Sequence, residues 1–417
     1  MQDSTAESQR QQWTAPGDIF SVLLILGGDV VQLALASLAG GYLTPLTFSF
    51  GSVAYAISAV LSAIGENRLM RCPPEVSLQI INLKSGYRRA NQSWVLGRLF
   101  QTYTFWMPKD VAEKANNVCA FKVPADEEAR SSTMDMQIHR AALCIAIYNW
   151  SDSRSVGIPS RDWVWWSGVA MTAIQLGISA IPLGVEGDWS ILLVTAAGNI
   201  LSYASGSLPQ WRREKWDAQK LNAEKQVALT RGNGSHHVII VHGLRGELDL
   251  EALAAGWTSD MTSTRFFTFV LAIMWLALLI TSTGIKTNTW YLLAIGGLGM
   301  LHNLLVAGTP RYPPSLGLPI ELVKISSEHG EIPAVFGEEK VMWTLMELEQ
   351  KYENHGRSLL EEFFPGRLNE WEEKWWAESD PLKRHRLLKE TKRRVNQSTN
   401  IAKSTEAIKA PAHRNVS

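Results

Sequence analysis

Six long apolar stretches, each nearly free of charge, alternate with strongly polar segments along this chain: Ile19–Ala39, Thr47–Ile64, Trp163–Leu183, Trp189–Leu208, Phe266–Ile285 and Trp290–Ala307. A helix rises about 1.5 Å per residue and needs about 20 apolar residues to cross the hydrocarbon core of a bilayer. The second and sixth stretches sit near the short limit, and the other four are clear. Soluble core helices are rarely so evenly apolar, so the pattern predicts an α-helical integral membrane protein with six transmembrane helices. The stretches pair through short connections, Gly40 to Leu46, Gly184 to Asp188 and Lys286 to Thr289, which leave room only for antiparallel hairpins. The predicted organisation is a tail at 1–17, a hairpin at 18–65, a polar α/β segment at 66–162 and a second hairpin at 163–208. A polar segment at 209–265, a third hairpin at 266–307, a polar helical segment at 308–394 and a disordered tail at 395–417 complete it.

The polar segments carry their own periodicities. Val76–Leu83, Ala142–Tyr148 and His237–Val241 read as short strands, and Ser93–Trp106, Asp249–Ala255 and Glu339–Tyr352 as helices. Pro124–Ser132 is acidic and polar, a loop, and Pro310–Pro319 is a proline-rich linker. Leu359, Leu360, Phe363 and Phe364 form an apolar patch before a basic stretch, Lys383–Arg394. Together these segments predict a small mixed α/β part.

Charge sets the orientation. Forty basic residues balance forty acidic ones, which leaves no footprint for nucleic acid. Apart from Arg10 and Lys286, every Lys and Arg lies in the three long polar segments or the tail that follows the third, so the positive-inside rule puts these segments and both termini in the cytosol. The membrane is then an endomembrane or the plasma membrane. Trp163, Trp165, Trp166, Trp189 and Trp290 open spans, and Trp211 and Trp216 follow the fourth, as an interfacial aromatic belt does. The first seventeen residues lack the basic start and cleavage site of a secretory signal, so the first apolar run reads as a retained signal anchor. Cys72, Cys119 and Cys144 share no ligand spacing, which suits a reducing compartment and predicts neither a metal nor a cofactor.

Candidate chemistry is intramembrane. Asp29 falls in the middle of the first span with Gln32 one turn away, and an acid at bilayer depth costs about 2.5–3.5 kcal/mol or more unless paired or wetted. It reads either as a proton donor, relay or cation ligand, or as a group hydrogen-bonded to Gln32 and to Asn199, Tyr203 or His302 on neighbouring helices. His302, Asn303 and Gln175 add polar groups that with Asp29 would line one pocket. In a packed bundle an isolated histidine is more often hydrogen-bonded into the structure than catalytic. Val238–Gly243 looks like the strand-then-His-Gly entry of an α/β-hydrolase, but no G-x-S-x-G elbow occurs in the chain. Arg231–Ser235 lacks the P-loop lysine and reads as a turn, and Lys383–Arg394 suits anionic lipid or plain solvent equally. Glycine and alanine clusters in several spans imply close backbone approach and a tight bundle rather than a wide pore.

The stretches Gly17–Asp29, Phe48–Tyr55, Gly187–Leu193 and Leu229–Ser235 resemble a family of multi-pass membrane proteins of filamentous fungi that has no assigned catalytic residues. Some members lie near secondary-metabolite genes, so the resemblance implies an accessory role in making, modifying or exporting a natural product. Three functions stay open. The first is an accessory or scaffold protein with a cytosolic interaction face. The second is a membrane-embedded enzyme of cyclase or isomerase type, with Asp29 and His302 as acid and base on a lipophilic substrate, and the third is a transporter. The expected partners are the lipid bilayer and either a lipophilic small molecule or other membrane proteins.

Overall fold

A computed structural model of the chain describes residues 17–65, 68–69, 72–120, 142–216, 218–256, 262–327 and 330–394, with 17–26, 117–120, 262 and 327 described by their backbone alone. The expected terminal tails and the expected loop Pro124–Ser132 lie outside the described residues. Along the chain run α1 (Gly17–Leu38), α2 (Gly51–Gly65), β1 (Gln79–Asn82), β2 (Arg88–Ala90), α3 (Trp94–Gln101), the short α4 (Tyr103–Trp106) and α5 (Lys109–Ala120). Then come β3 (Leu143–Trp150), α6 (Trp163–Glu186), α7 (Ser190–Gly206), α8 (Pro209–Trp216), β4 (Lys225–Thr230), β5 (His237–Gly243), α9 (Leu250–Ala254), α10 (Thr262–Thr283) and α11 (Thr289–Gly308). The rest comprises a 3-10 turn at Pro313–Leu316, β6 (Ile320–Leu322), β7 (Lys324–Ser327), β8 (Gly330–Pro333), β9 (Val335–Glu338), α12 (Val341–Lys351), α13 (His355–Phe363), α14 (Glu370–Ala377) and a last helix, α15, over 381–394.

Four helices among the described residues are long and apolar enough to cross a membrane: α6, α7 continued by α8, α10 and α11. They form two antiparallel hairpins as the hydropathy predicts. The tight turn between α6 and α7 needs a left-handed residue, and Gly187 supplies it at φ 74°. That turn meets the one between α10 and α11, because Asn288 Nδ2 donates to Glu186 Oε2 (2.6 Å) and to Asp188 Oδ2 (3.3 Å). Both connections therefore share one end of the bundle, and the α/β part occupies the other.

The first predicted hairpin is not formed. α1 packs alongside α11 and ends where Lys215 and Arg311 reach its last carbonyls, at the α/β end. Residues 39–50 then turn back into the bundle as extended chain, and α2 starts inside it, with Gly51 against Gly27. From there α2 returns to the α/β end, where Arg265 Nε donates to Ala63 O (3.1 Å). α1 and α2 thus run in the same direction, and the six spans in three hairpins are corrected to four long helices, one further helix, a re-entrant segment and a half-length helix. The physical reason is local: Thr44, Pro45, Thr47 and Ser49 cannot continue α1, and the Thr44 N–H, the Thr47 hydroxyl and the Thr47 carbonyl find partners among the surrounding helices.

The polar segments build one seven-stranded sheet in the order β2-β1-β4-β5-β3-β6, with β9 also on β3, and a separate β7–β8 ribbon. β3 and β5 pair in parallel, with Ile145 opposite Val238 and Ile147 opposite Ile240, and all other pairings are antiparallel. Both faces of the central strands are covered, which explains their unbroken apolar runs. Cys144, Ala146, Tyr148, Ile239 and Val241 face a core shared with α3, Trp211 and the end of α1. Leu143, Ile145, Ile147, Val238 and Ile240 face Trp343, Leu345, Leu359, Phe363 and Trp375 of the C-terminal helices. The bundle and the sheet therefore share a core.

Candidate functional site

Extended backbone inside an apolar bundle has no helical partner for its N–H and C=O groups, and each must be satisfied in another way. In residues 43–50 Thr44 O is met within the segment, by Leu46 N (2.9 Å), and Leu43 O, Thr44 N, Thr47 O, Phe48 N and Phe48 O are met from outside it, mainly by groups singled out in the sequence. Asn303 is fully buried; its Oδ1 accepts from Thr47 Oγ1 (2.9 Å), and its Nδ2 donates to Thr47 O (3.2 Å) and Ser49 Oγ (3.3 Å). Gln175 Nε2 donates to Phe48 O (2.9 Å) and to Ile295 O (3.0 Å). Asn199 Oδ1 accepts from Phe48 N (3.2 Å) and Thr172 Oγ1 (3.4 Å), and Thr172 also meets Tyr203 Oη (3.2 Å). Leu43 O accepts from Trp165 Nε1, and Thr44 N donates to Ser207 Oγ (each 3.2 Å).

His302 belongs to the same clamp. Ser167 Oγ donates to Val164 O (2.8 Å), so it accepts from His302 Nε2 (3.0 Å), and the unprotonated Nδ1 lies 3.2 Å from Thr47 Oγ1, whose single proton Nδ1 shares as an alternative acceptor to Asn303 Oδ1. Small residues make room for the segment. A Cβ on Gly299 would run into Phe48 O, and one on Gly198 into the Phe48 ring, which stacks on Trp275 at 6.2 Å. The close approach read from the glycine clusters is thus largely between helices and this extended chain.

Asp29 stands apart. It is exposed on α1 and makes no hydrogen bond to Gln32, Asn199, Tyr203 or His302 among the described residues, so the expected shared pocket with His302 is not formed. Among the described residues Gln32 contributes its backbone carbonyl, 3.9 Å from the Cys72 thiol. That thiol is pushed up to about 12, chiefly by burial and then by Glu75, with Asp29 a further contributor. The acid therefore lies near the loop that carries Cys72.

The residues that sequence reasoning missed sit where the bundle meets the sheet. Arg311, 2% exposed, makes a two-pronged ion pair with Asp162 (2.7 Å on each oxygen) and donates to Ser37 O (2.7 Å). Lys215, also 2% exposed, donates to Ala39 O (2.6 Å) and Ser37 O (3.3 Å). Arg98 does the same for α11, reaching Ala307 O (2.8 Å) and Thr309 O (2.9 Å) while paired with Glu75 (2.7 Å). Cations suit helix C-termini, where the unpaired carbonyls concentrate partial negative charge. Arg311 and Lys215 were visible in the sequence only as basic residues near membrane boundaries, and Arg98 only as one position of the helix read over Ser93–Trp106.

Open space lies in the α/β part and at its junction with the bundle. A cavity of about 370 Å³ opens beside the β4–β5 turn, lined by Tyr103, Arg231, Asn233, Ser235 and His237. Burial, then His236, lowers the His237 imidazole, and burial raises the Tyr103 phenol, whose oxygen meets Tyr148 Oη at 3.1 Å. A larger groove of about 860 Å³ lies between Tyr42, α8 and the loops at 155–157 and 246–248. On the far face of the sheet, His242 Nε2 and His355 Nε2 are 3.3 Å apart. His355 Nδ1 faces Glu353 O (3.0 Å) and so carries the proton there, which makes His242 the donor of the pair.

Val238–Gly243 is a central strand in this sheet, and Arg231–Ser235 is the hairpin turn before it, as the sequence suggested. The basic stretch Lys383–Arg394 is docked on protein: Leu388 is buried, Arg384 lies over the Trp375 ring and Lys392 pairs with Glu338 at 2.7 Å. No group of three or more His, Cys, Asp or Glu among the described residues could hold a metal ion. No family model matches this sequence, no curated protein matches it, and no solved structure matches its fold.

Proposed function

We propose that this chain is a membrane-held accessory or scaffold protein whose working surface is the α/β part, with its bundle serving as anchor rather than as a catalytic chamber or transport path. One observation carries the reading: His302, Asn303, Gln175, Asn199 and Tyr203 are engaged in or around the clamp that holds residues 43–50, while the one acid of the set, Asp29, lies outside it. An embedded acid–base pair needs both groups to reach one substrate. Two open spaces, of about 860 and 370 Å³, face the polar side, at the junction groove and beside the β4–β5 turn. In this reading the α/β part is cytosolic, following the distribution of basic residues, and the start of α1 lies on the opposite side of the membrane. A place in natural-product biosynthesis rests on the sequence resemblance alone.

The test is rescue of a gene deletion, read as the profile of lipophilic cellular metabolites. Asp29→Asn keeps size and hydrogen bonding but cannot titrate, and it is expected to restore the wild-type profile at wild-type abundance. Failure to restore it at normal abundance would return Asp29 to the chemistry and overturn the proposal.

A further inference from the structure

The junction groove has a chemistry of its own. Arg212, Arg213 and Lys220 line it, all exposed, and no acidic side chain pairs with them among the described residues. Trp216, mostly buried, closes part of the wall. One acid, Glu247, also lines the groove, and its Oε2 accepts from the backbone N–H of Leu244. The Arg212 guanidinium lies 5.8 Å from the centre of the Tyr42 ring, which is itself 85% exposed.

The mouth of the groove is at the level of an aromatic belt. Leu43, next to Tyr42, is exposed and takes the indole N–H of Trp165, and the neighbouring Trp163 and Trp166 are exposed as well. Amphipathic rings on an outward face mark the headgroup layer. Below the mouth, Leu193, Ile200 and Ala204 form an outward stripe on α7 at helical spacing, and it leads up to Leu208 on the groove wall. A cationic recess at headgroup level thus continues into an apolar track at acyl-chain level.

We propose that the groove is a binding site for one anionic phospholipid, with its phosphate held by Arg212, Arg213 and Lys220 and its acyl chains against the α7 stripe. The inference deepens the reading of an anchored α/β part, because it supplies the lipid that seats this part on the membrane. Guanidinium groups suit phosphate oxygens through parallel N–H donors, and the track favours a lipid over a free phosphate ester.

The full-length chain, purified in a neutral detergent, is titrated with phosphatidylglycerol, with phosphatidylcholine and with glycerol 3-phosphate, and binding is read by native mass spectrometry and by the shift in thermal midpoint. Phosphatidylglycerol is expected to bind and raise the midpoint, and the other two to do neither at the same concentrations. Replacing Arg212, Arg213 and Lys220 together by Gln is expected to weaken binding by about a hundredfold, each basic side chain at an anionic surface counting for about fivefold. Lys220→Gln alone, a change at an exposed loop position, is expected to weaken it about fivefold and serves if the triple variant is poorly folded. Equal binding of phosphatidylcholine, unchanged binding by the variants, or full occupancy by glycerol 3-phosphate would each overturn the proposal, the last by naming a soluble ligand. Loss of phosphatidylglycerol binding beside full rescue by Asp29→Asn would remove this inference and leave the proposed function standing; intact binding with failed rescue would do the reverse.

Discussion

Asn303→Leu tests the re-entrant clamp most directly, because leucine keeps the branched skeleton of asparagine and removes its polar atoms. The substitution removes three hydrogen bonds at a fully buried position. Two of the orphaned groups have fallbacks: Thr47 Oγ1 can turn to Gly299 O at 3.3 Å, and Ser49 Oγ to Ser52 Oγ at 3.5 Å. The Thr47 carbonyl accepts only from Asn303 among the described residues, so it is left bare inside the bundle. A buried unsatisfied carbonyl costs about 1–3 kcal/mol. Hydrogen bonds between membrane helices add about 0.6–2 kcal/mol each, so the expected loss is about 2–4 kcal/mol. The assay is thermal unfolding in a mild detergent together with steady-state abundance in cells, where a loss of this size is several-fold. Asn303→Asp keeps an acceptor for Thr47 Oγ1 but turns a second oxygen on the Thr47 carbonyl, so it should be no better than leucine. A wild-type midpoint and abundance for Asn303→Leu would refute the clamp.

Two further outcomes follow from packing and from charge. Gly299→Ala should destabilise by about 1–3 kcal/mol, since its Cβ has nowhere to go but into the Phe48 carbonyl, while Gly297→Ala, with open space at that position, should be silent or slightly stabilising; equal midpoints for the two would remove the close approach. Burial, then the neighbouring His355, lowers His242 to about 4, and burial lowers His355 too, so the folded state favours the uncharged rings and stability is present above the ordinary value of 6.5 and lost as the pH falls toward 4. His242→Phe should flatten that acid limb in a plot of thermal midpoint against pH, and an unchanged limb would assign it to other groups.

How much of this was legible in the sequence depended on which partner a segment needed. α6, α7, α10 and α11 were read from hydropathy within a few residues, because an apolar helix satisfies its own backbone and needs only length. β3 and β5 were read from unbroken apolar runs for the same reason, since burial on both faces leaves a local signal. β4 was missed, as were β2 and the short strands after Pro319, whose three- and four-residue runs carry little period. The polar bundle residues were found individually but assigned to a pocket. Sequence spacing gives the depth of Asn303 or Gln175 on its own helix, whereas the partner, Thr47 or Phe48, sits more than a hundred residues away. The hydroxyl-rich run from Thr44 to Ser52 was the available signal, since side chains that compete with helical hydrogen bonds mark a stretch that hydropathy alone reads as a span.

The direction of α1 decides between the hairpin expected from hydropathy and the re-entrant arrangement, and side-selective labelling separates them. In an antiparallel hairpin the connection at Gly40–Leu46 lies at the same end as the connection at Gly184–Asp188. In the structure the two are at opposite ends: Tyr42 lies beside Arg212 of α8, and Val185 lies beside the Glu186–Asn288 contact. Both side chains are exposed, at 85% and 76%, so single cysteines at either place should label freely. With the three native cysteines changed to serine, Tyr42→Cys should label in sealed vesicles from the side that carries the α/β part, and Val185→Cys from the other side only. Labelling of both from one side would restore the hairpin. The charges argue against that result. Moving the end of α1 to the far side would strip Lys215 of both its carbonyl acceptors and Arg311 of one, leaving an ammonium 2% exposed with the Trp94 and Trp216 rings beside it but no hydrogen-bond acceptor among the described residues. Removing the partner of a buried charge costs about 3–5 kcal/mol. The re-entrant path avoids that cost, because it returns residues 37 to 39 to the cations waiting at the junction.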